Sequence, residues 1–325
     1  GPSGEVGIDG IDGVDGVDGV DGVDGTTECA TCHNVGTSED VHTSYLFSKH
    51  YNETKAVWAG DVPISTYANR GTCTQCHTDE GYKDYTTTGS VTGEAYPAEI
   101  QKISCKTCHD THTTFDFETD GYDYALRSIG PVELIAPGAN YTIDFQGTSN
   151  TCTVCHQPRK TPPVDDGSGI YSVPNRYGPH HGPQSTFLEG IQGAEIAGSV
   201  DYLPPQSATH RTGSSCSSCH MGETSGEIDG NHTWVPTPTS CTQCHTSGIP
   251  DGVAGLEEDI ATLAQLLTDE GILVDGGVVP GDYSIELAQA AWNYVLLMED
   301  NSKGIHNPAY ARALVQNSIE ALNAN

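Results

Sequence analysis

Apolar residues recur at helical spacing in three stretches near the end of the chain: Glu257 to Leu267, Ser284 to Met298 and Ala309 to Leu322. Three helices are predicted there, packing against what precedes them, with Pro308 placed to start the last. The longest apolar run, Ala290 to Met298, is interrupted by Asn293 and falls far short of the ~20 residues of a membrane helix, so no membrane span is expected. Upstream, from Thr26 to about Ile249, the pattern predicts loops and short helices. Residues 1–25 follow another rule. Gly occupies every third position from Gly1 to Gly25, with Val or Ile and then Asp filling the later triplets. The period is collagen-like, but one Pro makes for a weak triple helix, and the segment is expected to pack on another subunit.

Composition sharpens the difference between the two parts. Gly reaches 38 and Pro 18, against 5 Phe and 2 Met, so bulky side chains are too few to fill an interior of ordinary kind. Something other than side chains is expected in the middle. Thirteen Lys+Arg face 44 Asp+Glu, a net charge of −31. Such a chain lacks the basic footprint that nucleic acid or an anionic membrane surface requires. A solvated acidic exterior explains the charge more simply than a dedicated cationic partner. The chain has no initiating Met and no basic, apolar leader, as expected of a mature protein whose export signal has been removed.

All twelve Cys fall into one pattern. C-x-x-C-H occurs at Cys29–Cys32–His33, Cys73–Cys76–His77, Cys105–Cys108–His109, Cys152–Cys155–His156, Cys216–Cys219–His220 and Cys241–Cys244–His245. A random shuffle of this composition would give about 0.02 copies. Two thiols two residues apart match the two vinyl groups of a porphyrin, and the following His can bind iron from the proximal side. Disulfides, or zinc held by paired C-x-x-C units, leave six following histidines without a reason. Six covalently attached haem c groups are expected, and their attachment places the chain outside the cytoplasm.

Six irons need six partners on their other faces. Subtracting the motif histidines leaves His42, His50, His112, His180, His181, His210, His232 and His306. Only two Met exist, and Met221 directly follows His220, so bis-histidine, low-potential haems are the economical reading. His112 lies three residues after His109 and is expected to cap a neighbouring haem, drawing two porphyrins together. His210 and His232 sit in Gly/Ser/Thr-rich loops ahead of Cys216 and Cys241, and His306 precedes a helix that would aim it. His42 and His50 flank a short helical stretch near one face, and His180 and His181 are adjacent and point differently. His42 and His180 are preferred as distal ligands, with His50 and His181 as alternates, and a spare His could serve another subunit.

About 54 residues per haem is far below a self-sufficient domain. The expected fold is mostly irregular with short α-helices, wrapped around stacked haems. Its parts are a leader (1–25), a hexahaem domain (26–250) and C-terminal helices supplying a distal His (251–325). Asn52, Asn140 and Asn231 head N-x-T sequences that matter only where the source organism glycosylates them.

On the six motifs, Cys105 to His112, His180-His181-Gly-Pro-Gln184, Gly304-Ile-His306-Asn-Pro308 and the Gly-triplet leader, the chain resembles the extracellular multihaem c-type cytochromes. It is most similar to the hexahaem Omc-type cytochromes that polymerise into nanowires. The resemblance covers a minority of the chain. It implies alternating parallel and T-shaped haem pairs, a homopolymer of identical subunits at the cell surface, and a His lent to the next subunit. Other cytochromes would be the electron donors, and extracellular minerals or cells the acceptors. Ca2+ at acidic or propionate sites is a further expectation. The rival reading is a multihaem nitrite or hydroxylamine reductase, whose closing helices this chain also resembles. Such an enzyme needs an open iron, and its usual C-x-x-C-K site is absent.

Overall fold

The computed structural model describes residues 29–52, 71–91, 101–226 and 228–324, and the Gly-triplet leader lies outside them. The chain divides into two compact units, Gly1–Val41 and His42–Asn325.

In chain order the helices are α1 (Cys29–Cys32), α2 (Val35–Leu46), α3 (Lys49–Asn52), α4 (Gly71–His77), α5 (Asp79–Thr88), α6 (Cys105–Cys108), α7 (Phe117–Asp120) and α8 (Asn150–Thr153). There follow α9 (Gln184–Glu189), α10 (Thr209–Gly213), α11 (Cys216–His220), α12 (Pro238–Thr242), α13 (Leu256–Asp269), α14 (Ile285–Asp300) and α15 (Pro308–Asn323). Strands are few and short. The antiparallel pairs are β1 (Val132–Glu133) with β2 (Thr142–Ile143), β3 (Ile170–Val173) with β6 (Gly281–Ser284), and β4 (Leu273–Val274) with β5 (Gly277–Val278). A fold that is mostly irregular with short helices follows from a turn-rich composition, as expected.

The described part of the first unit is built around Asn34. Its side chain donates to the Ala30 carbonyl at 2.9 Å and to Thr37 Oγ1 at 2.7 Å, and accepts from the Thr37 N–H at 2.8 Å. One short polar side chain thus closes α1 and opens α2.

The second unit has two kinds of interior. The three C-terminal helices bury an ordinary apolar core: Leu256, Leu263 and Leu267 of α13, Leu296 of α14 and Leu314 of α15 are fully buried. The expectation that something other than side chains fills the middle therefore fails here. The reason is local, since nine of the chain's fifteen Leu lie in these three helices. Val173, Phe187 and Ile196 join the same core, so the helices are packed on the middle of the chain. Buried Asn293 fastens the join, accepting from the Ala194 N–H and donating to the Ala194 carbonyl, both at 2.8 Å. Trp292 Nε1 donates to the Gln192 carbonyl at 2.9 Å. Elsewhere the buried clusters are small: Leu134, Ile143, Phe145 and Leu188 form one, and Tyr82, Val132 and Val154 another.

Glycine fixes one close approach beside a cysteine motif. A Cβ at Gly81 would lie 2.3 Å from the carbonyl carbon of Thr74, so α5 can press on α4 only with hydrogen there. Backbone cannot yield as a flexible side chain would. Gly81→Ala is expected to destabilise the protein by about 1–3 kcal/mol, the usual cost of overpacking. A lowered melting temperature with haem absorbance retained would show it, and an unchanged one would contradict it.

Candidate haem sites

Every C-x-x-C-H motif starts on a short helix: it lies within α4 and α11, spans α1 and α6 with the His just beyond, and begins near the end of α8 and α12. A turn of helix carries positions i, i+3 and i+4 on one face, so both thiols and the His share a side. The closing hydrogen bond is the same at four motifs, with the His N–H donating to the carbonyl of the first Cys. It measures 2.8 Å at His33 and 2.9 Å at His109, His156 and His245. Ser104, Ser215 and Thr237 stand as N-caps; Ser215 and Thr237 accept from N–H groups of the first turn. The caps explain why such short helices form outside the C-terminal bundle.

The histidines come together in pairs. Ring centroids are 6.1 Å apart for His50 and His156, His109 and His232, His210 and His245, and His220 and His306. Each pair joins one motif His to one non-motif His. A metal–imidazole bond is about 2 Å and the ring centre lies roughly 1 Å further on, so two imidazoles on one metal have centres about 6 Å apart. The residues therefore fit an iron with two axial imidazoles. Among the described residues no group of three or more His, Cys, Asp or Glu is arranged to hold a metal ion. That holds also for the Ca2+ expectation, which finds no such acidic cluster there.

Hydrogen bonds fix the tautomer. The Nδ1–H of His109 donates to the Tyr124 carbonyl at 2.8 Å, that of His220 to the Trp234 carbonyl at 2.9 Å, and that of His210 to the Ile305 carbonyl. His156 uses the Gln184 side-chain oxygen at 3.1 Å and His232 that of Asn231 at 2.8 Å. Carboxylates serve the others: Asp300 for His306 and Asp123 for His112, both at 2.6 Å, and Glu299 for His181 at 3.0 Å. With the proton held at Nδ1, Nε2 carries the lone pair that binds a metal.

Burial keeps these imidazoles neutral, the form that binds iron. His50 is lowered to about 4 by burial and by His156, and His232 to about 4 by burial and by His109. His156 and His220 are also lowered, chiefly by burial. His306 runs the other way: burial pulls it down, but the charge and hydrogen bond of Asp300 hold it above the usual value. At Asp123 desolvation is outweighed by hydrogen bonds from Ala125, His112 and Thr113, which keep the carboxyl well below the usual range.

Burial, then His181 and Arg159, lowers His77 to about 4, and burial, then His181, Arg159 and His77, lowers His180 to about 3. The adjacent pair is divided in orientation. His180 turns Nε2 to the Arg159 guanidinium at 3.3 Å, while Glu299 takes both the N–H and the Nδ1 of His181.

Several placements differ from those expected. His42 and His50 do not flank one helix: His42 lies exposed within α2 and His50 within α3. The chain breaks between them at Ser48, whose Oγ accepts from the Tyr51 N–H at 3.1 Å. It is His50, taken as an alternate, that faces a motif His. His210 and His232 stand on short helices, α10 and a 3-10 turn over Asn231–Thr233, closed by backbone hydrogen bonds from the Thr212 N–H to the Ala208 carbonyl and from the Thr233 N–H to the Gly230 carbonyl. His306 lies immediately ahead of α15, where Asn307 is the cap and Pro308 the first residue, as expected.

Thiols of different motifs also meet. Cys155 is within hydrogen-bonding reach of Cys76, and Cys152 of Cys216, so the fourth motif touches the second and the fifth. The acceptors at Nδ1 could not be found from sequence, because an Asp before a loop carries no mark of the His it will meet.

Residues 11–120 match the family described as outer membrane cytochrome MtrC/MtrF-like, domains II/IV. The C-type polyheme cytochrome OmcC of Geobacter sulfurreducens is 25% identical over 342 residues, 78% of this chain and 43% of that protein. The fold is similar to that of the outer cell wall cytochrome OcwA, with a TM-score of 0.52 at 18% identity over 87% of this chain and 50% of that one. The chain thus spans half the length of these relatives or less. No helix among the described residues is long and apolar enough to cross a membrane. In its motifs, its fold and its relatives, the chain is similar to the extracellular multihaem c-type cytochromes, proteins that transfer electrons through covalently bound haem.

Proposed function

We propose that the chain is an extracellular electron conduit of six bis-histidine c-type haems, with no substrate bound at iron. The observation that carries this is the four histidine pairs at 6.1 Å with Nδ1 tied back to the protein. Each haem iron supplies a one-electron Fe(III)/Fe(II) couple. The chain's own part is to hold two neutral imidazoles on each iron, which keeps other ligands out and sets a low potential.

In this reading His50 is the distal partner of His156, His232 of His109, His210 of His245 and His306 of His220. For His77, the Glu299 contact favours His181 as the ligand over His180. With five distal partners named, His42, His112 and His180 remain for the sixth iron or for the next subunit, and Asp123 orients His112 as Asp300 orients His306. Contact between thiols of motifs two, four and five supports close packing of their haems, so that crowding itself makes the electron path. The filament reading rests on the sequence resemblance and on eight histidines for six irons. Filaments in negative-stain images would support it, and only single particles would remove it.

An intact mass heavier by six haems, with an oxidised spectrum that is low-spin throughout and unmoved by cyanide or nitrite, is expected. A high-spin band or ligand binding would replace the conduit with an enzyme bearing an open iron.

Asp300 gives a narrower prediction. Its buried carboxylate bonded to His306 donates negative charge to an axial ligand and favours Fe(III). Asp300→Asn is expected to raise the potential of one haem by about 60 mV, a tenfold change in its one-electron equilibrium. A spectroelectrochemical titration in which no haem component moves would contradict it.

A further inference from the structure

Trp234 stands where three of the histidine sites meet. Its ring lies 4.4 Å from that of His50 at 77° and 5.3 Å from that of His232 at 69°. Its carbonyl oxygen accepts the Nδ1–H of His220 at 2.9 Å. On the bis-histidine reading, on which this rests, these residues are one axial ligand from each of three haems. They belong to the fourth, third and fifth motifs respectively.

The backbone there is uncomfortable for a bulky residue. Trp234 has φ 55° and ψ 20°, the left-handed region where Gly or Asn would sit more easily. The surrounding turn enforces it: the Gly230 N–H donates to the Val235 carbonyl at 2.8 Å, and Thr233 Oγ1 donates to the Gly230 carbonyl at 2.6 Å. Strain of this kind persists where the surroundings over-determine it, and clusters at functional sites. The left-handed backbone is what lets one residue present its carbonyl to His220 and its ring to His50 and His232.

We infer that Trp234 is a positioning residue shared by three haem sites. Its indole fixes the ring planes of His50 and His232, and its peptide oxygen fixes that of His220. The planes of axial imidazoles are therefore set jointly at these three sites. Tyr45 lies 6.4 Å from the indole, edge-on.

The two halves of the contact can be separated. Trp234→Gly removes the ring but accepts the left-handed backbone, so the His220 contact survives. Electron paramagnetic resonance of the oxidised holoprotein is expected to show two of its low-spin ferric signals shifted and the others in place. Trp234→Phe, which keeps a ring, is expected to return those two towards their native positions. A Gly variant with every signal unmoved overturns the inference, as does a Phe variant as perturbed as the Gly one. Should the Gly variant lose haem, Trp234→Asn, which also tolerates this backbone, is read the same way. Loss of all haem in both would make Trp234 a folding residue and overturn the inference. Failure of the bis-histidine reading is visible separately, because the unmodified protein would then lack low-spin signals.

Discussion

On the proposed reading of six bis-histidine haems, a His306→Ala protein is expected to turn one haem high-spin and able to take up cyanide or carbon monoxide, while the other five stay six-coordinate. His306 is held from several sides. Asp300 holds its Nδ1 at 2.6 Å, and its ring lies 6.1 Å from that of His220. Asn307 and Pro308 start α15 directly after it, and Gly304 turns the chain just before it with φ +80°. No other non-motif histidine forms such a pair with His220 among the described residues, so the vacated position should open to solvent ligands. Removing the imidazole also leaves the buried Asp300 carboxylate with Ser302 but without its His306 donor, a loss of about 1–3 kcal/mol for an unsatisfied buried polar group. The double variant with Asp300→Asn should recover much of that stability while keeping the high-spin haem. Visible spectra with and without cyanide check the first part, and denaturation midpoints the second. A His306→Ala protein that stays wholly low-spin would assign the ligand elsewhere.

What the sequence discloses here depends on how local the determinant is. The motif turns are local: two Cys, a His one helical turn from the first, and a Ser or Thr ahead are all that is needed, so they are visible by inspection. The three closing helices were equally visible, because each carries its own apolar periodicity and two carry their own side-chain cap, Ser284 for α14 and Asn307 for α15. His306 was legible for the same reason, being held by the start of a helix.

The pairings are not local. His50 meets His156, and His109 meets His232, across long intervals of chain, and no spacing rule connects them. His42 and His50 are parted by Ser48, which interrupts the helix by capping the next turn through its side chain, and no local signal says which of them meets a motif His. The choice between His180 and His181 turns on Glu299, in a helix whose register relative to the His-His pair only tertiary packing sets. Trp234 gave no signal at all, since nothing in Asn231-His-Thr-Trp234 announces a left-handed backbone. The ordinary apolar core of α13, α14 and α15 was underestimated because composition was averaged over the whole chain.

Arg211 carries the second large effect. It follows His210 on α10, and its guanidinium pairs with Glu189, whose side chain is completely buried at the end of α9. Tyr141 donates to the other carboxylate oxygen at 2.8 Å, and Arg211 reaches the Asp144 carbonyl at 2.7 Å while lying 4.5 Å over the Phe145 ring. This is a nearly dry, fully bonded pair that joins α10 to the small cluster of Ile143, Phe145 and Leu188. Arg211→Ala strands the Glu189 charge and is expected to cost about 3–5 kcal/mol. The pair itself is worth much less than that, because desolvating both ions offsets most of their attraction. Arg211→Met with Glu189→Leu should therefore recover most of the loss, and a double variant as unstable as the single one would refute this. Because Arg211 is next to His210, the single variant should also loosen the imidazole that faces His245. The decisive reading is denaturant midpoint and haem spin state taken together. Stability should return in the double variant, and the low-spin signal of the haem at Cys241–His245 should return with it, since His210 needs α10 in place to reach the Ile305 carbonyl.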